Sequence, residues 1–378
     1  MPLTSGLVNV YTGKQPSACG QAVMSKILSD AMDHSEEYRL LPGIQRHPRI
    51  DLGPIRSPVL PLPRLGADLG IDLFIKRDDA LPLGMGGNKV RQLEFYLGPA
   101  RIQGADTILI TGAIQSNFVC LCAAAARRHG WQPVVQLEDR VPENNPVYKT
   151  SGNVLLNNLF GAEIHYFAEG EGEDEAAADA SLEKLAESLI SDGKNPYVIH
   201  LGTDYPPLGA LGYALASAET RLQLSQIGID PDHIVVPSGS GLTHSGFLCG
   251  ATAINWTVPV HGICVRRRAE LQHTRIKQRN REVSELLGLT PPVPESNILV
   301  HDQVLAPGYG QLNSQISDAI NRAAHLEGLL VDPVYSGRCL AGLINLVERG
   351  IIKRGEQVLF LHTGGLPAIF AYQKILQL

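Results

Sequence analysis

Gly86-Gly87-Asn88-Lys89 stands between Ile75-Lys76-Arg77-Asp78-Asp79 and the helix-like run Val90-Arg91-Gln92-Leu93-Glu94-Phe95. Two glycines let backbone approach a flat ligand, and the helix that follows fixes the direction of the lysine side chain. An ammonium prefers solvated surface, so a lysine fed from a glycine turn into a core calls for a chemical reason. A Schiff base supplies one: desolvation keeps the amine neutral, and the neutral amine condenses with an aldehyde.

Outward from that stretch, short β-branched runs alternate with helix-length segments. The pattern predicts strands at 73–76, 107–111, 133–137, 163–167, 197–200, 233–236, 260–265 and 358–362, with helices at 117–129, 176–191 and 211–225. Such alternation means an α/β fold of parallel sheets with helices on both faces. Residues 1–50 are weakly patterned and are expected to form an extension that wraps or frays. No internal repeat is present.

A chain of 378 residues suggests one large or two moderate domains, and 44 % hydrophobic content is enough for a sizeable core. The net charge of -6 argues against nucleic acid as the main partner. Cys120 and Cys122 are too close for the usual zinc pairing. With Cys19, Cys249, Cys264 and Cys339 they read as reduced, mostly buried thiols, and no metal is expected. No basic cluster precedes an apolar core at the N-terminus, and no apolar run reaches membrane-spanning length. The expectation is a soluble, cytoplasmic protein. The acidic stretch 169–179 reads as a solvated helix start, and the basic stretch 266–281 as an exposed helix face.

Three groups of loop residues carry polar chemistry at predicted strand ends. Gln115-Ser116-Asn117 precedes the alanine-rich helix, where it either binds a carboxylate or simply caps the helix. Pro237-Ser238-Gly239-Ser240-Gly241-Leu242-Thr243 has the glycines and hydroxyls of a phosphate cradle, though a tight turn has the same composition. It is neither a Walker loop nor a dinucleotide fingerprint. The C-terminal group comprises Tyr309 between glycines, Tyr335-Ser336, and His362-Thr363-Gly364-Gly365. His362 reads as a satisfied buried histidine rather than a base. A Schiff-base lysine, a phosphate cradle, a carboxylate-binding turn and a neutral partner for a ring nitrogen are together what pyridoxal 5'-phosphate needs.

These residues, with Pro207-Leu208-Gly209-Ala210-Leu211-Gly212-Tyr213 and Asp332-Pro333-Val334-Tyr335, resemble the D-cysteine desulfhydrase / 1-aminocyclopropane-1-carboxylate deaminase family. The resemblance runs in order from about residue 50 to the C-terminus. It implies the fold type II (tryptophan synthase β-like) architecture of two parallel-sheet, three-layer domains. Residues 51–90 and 203–378 would form the large cofactor-binding domain and residues 91–202 the small one, after an extension at 1–50. By the same resemblance Lys89 forms the imine, Asn117 bonds the cofactor's phenolic oxygen, and Ser240, Gly241, Leu242 and Thr243 hold its phosphate. Ser116, Tyr309 and Tyr335 are catalytic, and Gln115, Ser116, Asn117 and Phe118 contact a small amino-acid substrate. A homodimer is also implied.

One position separates the two branches of the family, and two depart from its pattern. Ser336 stands where the deaminase branch has the glutamate that holds the pyridine nitrogen, and a hydroxyl there matches the desulfhydrase branch. It favours expulsion of a β-leaving group over ring opening of a cyclopropane. Phe118 replaces a His or Gln, and Leu242 a glycine. The expected activity is α,β-elimination from a cysteine-like amino acid, giving pyruvate, ammonia and sulfide. The alternatives are a cyclopropane-carboxylate deaminase, a cysteate-type lyase, a cofactor carrier without turnover and, last, a phosphosugar- or nucleotide-binding protein.

Overall fold

Thr107-Ile108-Leu109-Ile110-Thr111-Gly112-Ala113 is buried at every position, which only a strand covered on both faces can be. The computed structural model describes residues 35–53, 56–142, 145–167 and 176–376. Among them ten strands form: β1 (Val59–Pro61), β2 (Asp72–Arg77), β3 (Thr107–Ala113), β4 (Gln132–Glu138), β5 (Glu163–Phe167), β6 (Pro196–Ile199), β7 (His233–Ser238), β8 (Val260–Cys264), β9 (Leu299–His301) and β10 (Gln357–His362). They make two sheets, ordered β1-β2-β10-β7-β8-β9 and β5-β4-β3-β6. Every pairing is parallel except β1 with β2.

β10 shows why the larger sheet is sandwiched. Leu359 and Leu361 point into one apolar cluster with Ile234, Val236, Val90 and Phe247, while Val358 and Phe360 point into another with Val235, Ile75 and Leu340. Alternate side chains of one strand thus feed two cores, one per helical layer. The helices Lys89–Gln103, Ala210–Gln226 and Leu242–Ala253 contribute to the first cluster, and Ser314–Glu327 and Ser336–Glu348 to the second.

All eight predicted strands are present within two residues of their expected ends. β1 and β9 were not predicted, because three residues at a sheet edge are too short to show a period. Residues 35–50 do not fray: a helix at Ser35–Leu40 and a turn at Pro42–Arg46 bury Leu41 and Ile44, and Arg46 bonds the Leu286 carbonyl at 2.7 Å. The expected extension at 1–34, Cys19 within it, and the acidic residues 169–175 lie outside the described residues. The helix after them begins at Ala176, and Asp179 in its first turn is buried rather than solvated as expected. Cys120, Cys122, Cys249, Cys264 and Cys339 are free and buried.

The Ile75–Asp79 motif serves the fold. Lys76 Nζ bonds Glu219 Oε1 (2.5 Å), Gln223 Oε1 (2.6 Å) and the Ser57 carbonyl (2.6 Å), which uses all three of its protons. Arg91 reaches Glu219 Oε2 at 2.7 Å and Asp78 Oδ1 at 2.9 Å, and Tyr213 donates to Asp78 Oδ2 at 2.5 Å. Burial pushes Asp78 and Glu219 up, but the Arg91 guanidinium and the Lys76 ammonium outweigh it and hold both carboxyls below their usual range. Removing one member leaves the others charged and unpaired in a dry interior. Glu219→Ala should therefore cost roughly 3–5 kcal/mol. Urea unfolding followed by circular dichroism measures the loss, and a change below about 1 kcal/mol would refute the role given to the network.

Candidate functional site

The parallel strands end at a shared cleft, as open α/β sheets require of a ligand site. A cavity with about 940 Å³ of empty space, its mouth included, opens there. Gly112 and Ala113 line it from the end of β3, Gly239 to Gly241 from beyond β7, Val265 from beyond β8, and Thr363 to Gly365 from beyond β10. No aspartate or glutamate lines it among the described residues.

Lys89 opens the helix Lys89–Gln103 and lies half-buried on the cavity wall. Its Nζ donates to Gln92 Oε1 at 3.1 Å and sits 5.0 Å from the centroid of the Phe118 ring. Desolvation pushes the amine down to about 8. Gly87, at φ 126°, brings backbone so close that an added Cβ would stand 2.6 Å from Asn117 Nδ2 and 2.9 Å from the Thr363 carbonyl. Only glycine supplies both the dihedral and the clearance.

The serine-glycine loop is turned by residues outside the cavity. Arg267 and Gln272 donate to the Gly239 carbonyl at 3.3 and 3.1 Å, and Arg275 donates to the Ser240 carbonyl at 2.9 Å. A trans peptide points its N–H opposite its C=O, so the amides of Ser240 and Gly241 face inward. Gly241, at φ 95°, then starts the helix Leu242–Ala253, whose first amides have no intrahelical acceptor. Thr243 Oγ1 accepts from Asn88 Nδ2 at 2.8 Å and from Gln92 Nε2 at 3.0 Å, so its own proton is left to donate. A ring of inward donors at a helix N-terminus fits a phosphate. The basic stretch is thus not simply an exposed face: Arg267 and Arg279 are buried, and Arg266 lines the cavity.

Ser116 caps the helix Asn117–Arg128, accepting from Val119 N–H at 3.3 Å, and also faces the cavity, so both roles open in its sequence are available to it. Asn117 Nδ2 donates to the Gly86 carbonyl at 3.4 Å. Tyr309 and Tyr335 share a 2.9 Å bond between their hydroxyls. Burial pushes both phenols up, so both keep their protons at neutral pH. Their places are fixed from behind. Asp332 accepts from the amides of Val334, Tyr335 and Ser336 at 2.9, 2.8 and 2.6 Å, and Arg338 grips the carbonyls of Val304, Gly308 and Gln311.

The cavity therefore brings together Lys89, Ser116, Asn117, Phe118, Ser240, Gly241, Thr243, Tyr309 and Tyr335. Three other expected site residues do not line this cavity. Gln115 spends its amide on the fold, donating to the carbonyls of Tyr148 (2.6 Å) and Ser151 (3.0 Å) and accepting from Asn153 N–H (2.9 Å). Ser336 is fully buried behind the wall and donates to the Gly364 carbonyl at 3.1 Å; of this pair of hydroxyls, 3.4 Å apart, Thr363 is the one whose residue lines the cavity. The Leu242 side chain is buried in the core and leaves only its amide near the site. His362 is a satisfied buried residue, with Nε2 2.7 Å from the Leu330 carbonyl. Gln92, Arg140, Arg266 and Thr363 were not given site roles; Thr363 carried a signal in the His362-Thr363-Gly364-Gly365 motif and Gln92 in its i+3 spacing from Lys89.

Known proteins resemble this chain over most of its length. The chain is 38 % identical to a Pyrococcus abyssi protein provisionally named 1-aminocyclopropane-1-carboxylate deaminase, over 87 % of this chain and 95 % of that one. It is also 38 % identical to the D-cysteine desulfhydrase of Salmonella choleraesuis, over 87 % and 97 %. A solved structure described as an ACC deaminase homologue superposes with a TM-score of 0.78 at 32 % identity, covering 90 % of this chain and 98 % of its own. No helix among the described residues is long and apolar enough to cross a membrane. With a family model matching residues 50–364 as well, the chain belongs to the family of pyridoxal-phosphate dependent enzymes.

Proposed function

We propose that this enzyme eliminates a β-substituent from a small amino acid of the D-cysteine type, with Lys89 as the cofactor's attachment point. One observation carries the reading: Lys89 is desolvated in a cavity without acidic walls, beside a phosphate-shaped cradle. Pyridoxal phosphate, when bound, supplies the aldehyde that takes an amine and the ring that withdraws electrons from the α-carbon.

The chain's own residues divide the remaining work. Ser240, Gly241, Leu242 and Thr243 bind the phosphate, the first three through backbone amides. Asn117 Nδ2 orients the ring by its phenolic oxygen, and Ser336, with Thr363 3.4 Å in front of it, offers a hydroxyl at the ring-nitrogen end. A hydroxyl does not protonate that nitrogen as a carboxyl does, which supports β-elimination over opening a cyclopropane. Ser116 Oγ and the amides opening its helix hold the substrate carboxylate. Lys89 Nζ, neutral above about pH 8, removes the α-proton. Tyr309 and Tyr335, still protonated, donate to the leaving group. We further propose that residues 51–90 and 203–378 form the larger unit and 91–202 the smaller, that the enzyme is a homodimer, and that it works in the cytoplasm; light scattering tests the dimer.

Purified protein should be yellow, and borohydride should fix the cofactor on Lys89, as peptide mass mapping reads. Lys89→Ala should lose roughly 10²–10⁴-fold in kcat; undiminished turnover would sink the proposal. Cofactor uptake by the stripped enzyme should accelerate as pH rises towards 8 and then level, because only the neutral amine attacks an aldehyde. Among D- and L-cysteine, cysteate and 1-aminocyclopropane-1-carboxylate, D-cysteine should release ketoacid fastest. A preference for the cyclopropane would overturn the branch assignment, and silence from all four with cofactor bound would favour a carrier.

A further inference from the structure

Gln92 is fully buried one helical turn after Lys89, and it touches both ends of the proposed cofactor cradle. Its Oε1 accepts from Lys89 Nζ at 3.1 Å and its Nε2 donates to Thr243 Oγ1 at 3.0 Å. The orientation of the amide is not arbitrary. Turned over, it would aim two N–H donors at an ammonium that can only donate. Asn88 Nδ2 holds the same Thr243 oxygen at 2.8 Å, so residues 88, 89 and 92 of one helix start are tied to the first turn of another.

We propose that Gln92 is a positioning residue that tethers the Lys89 amine to the phosphate loop and, by accepting its proton-bearing hydrogen bond, sets how readily that amine is freed of its proton. The inference rests on the proposed role of Lys89. A buried hydrogen bond to the charged form favours that form; the other charged side chains lining the cavity, Arg140 and Arg266, are cationic, and no carboxylate there competes with Gln92 among the described residues. The Gln92 oxygen therefore acts against the desolvation that burial imposes on the amine. The lysine waits in one place, charged enough to stay put and neutral enough to react just above neutral pH.

The test uses three variants of the full chain, stripped of cofactor, with Lys89 labelled by an amine-acylating reagent across a pH series and quantified by peptide mass spectrometry. Gln92→Leu should move the midpoint of Lys89 labelling to lower pH, and Gln92→Glu should move it higher, each by about one unit, or tenfold in the protonation equilibrium. Thr243→Val should weaken inorganic phosphate binding several-fold and leave the labelling midpoint within a few tenths of a unit. In the loaded enzyme the pH–rate profile should follow the same order, with kcat changed more than KM. Equal midpoints in wild type, Gln92→Leu and Gln92→Glu overturn the tether. So does an equal displacement in Thr243→Val, which would make Gln92 part of a generally loosened wall. If borohydride fails to fix cofactor on Lys89 in the wild type, the functional reading has failed, and the labelling result still reports on the tether alone.

Discussion

Arg91 fixes the rotation of the helix on which the chemistry stands. Residues two apart on a helix point about 200° from one another, so Arg91 and Lys89 leave on opposite sides. Arg91 is locked to Asp78 and Glu219, both buried, and those carboxylates come from the end of β2 and from the helix Ala210–Gln226. The helix can neither roll nor slide without breaking charged bonds in a dry interior, a cost of several kcal/mol. Lys89 is consequently aimed at the cavity. Gln92, one turn on, shares its face, and Val90 and Leu93 pack the core. One buried ion cluster thus holds the lysine in place.

The anion cradle obeys the same logic from the other side. No charged side chain needs to touch a phosphate there, because Arg267, Gln272 and Arg275 hold the loop carbonyls outside and turn the amides in. Positive charge acts on the backbone, and the backbone acts on the ligand. Such an arrangement is already organised before a ligand arrives, so little ordering entropy remains to be lost on binding.

The parallel α/β plan and eight of the strands were legible because a buried parallel strand is a continuous apolar run, as in Ile108-Leu109-Ile110 and Val358-Leu359-Phe360-Leu361. The glycines at 87 and 241 announced themselves through what glycine alone permits. The failures share a cause: which way a polar side chain faces is a tertiary fact. Gln115 and Asn117 lie two residues apart at the same strand end, yet one amide ties down the loop at 148–153 while the other enters the cavity. Ser336 and Thr363 are 27 residues apart in sequence, and nothing local says which hydroxyl stands in front. The arginines at 266, 267 and 275 read as surface because composition cannot see that the helix Ala269–Leu287 and the loop before it lie along the serine-glycine loop.

Two lysines, Lys76 on β2 and Lys89 at the start of its helix, show what separates structural from chemical burial. Lys76 is more deeply enclosed than Lys89, and burial pushes its amine down as well. Its three protons are nevertheless committed to a carboxylate, an amide and a carbonyl, so releasing one would strand an acceptor and unbalance Arg91 and Glu219. Lys89 has one neutral acceptor and an aromatic face, whose quadrupole steadies an ammonium by a kcal/mol or so without fixing its direction. It can give up a proton and swing to a new bond without leaving an unpaired charge behind. A desolvated lysine becomes a nucleophile where its neighbours tolerate both of its charge states, and of these two lysines only Lys89 meets that condition.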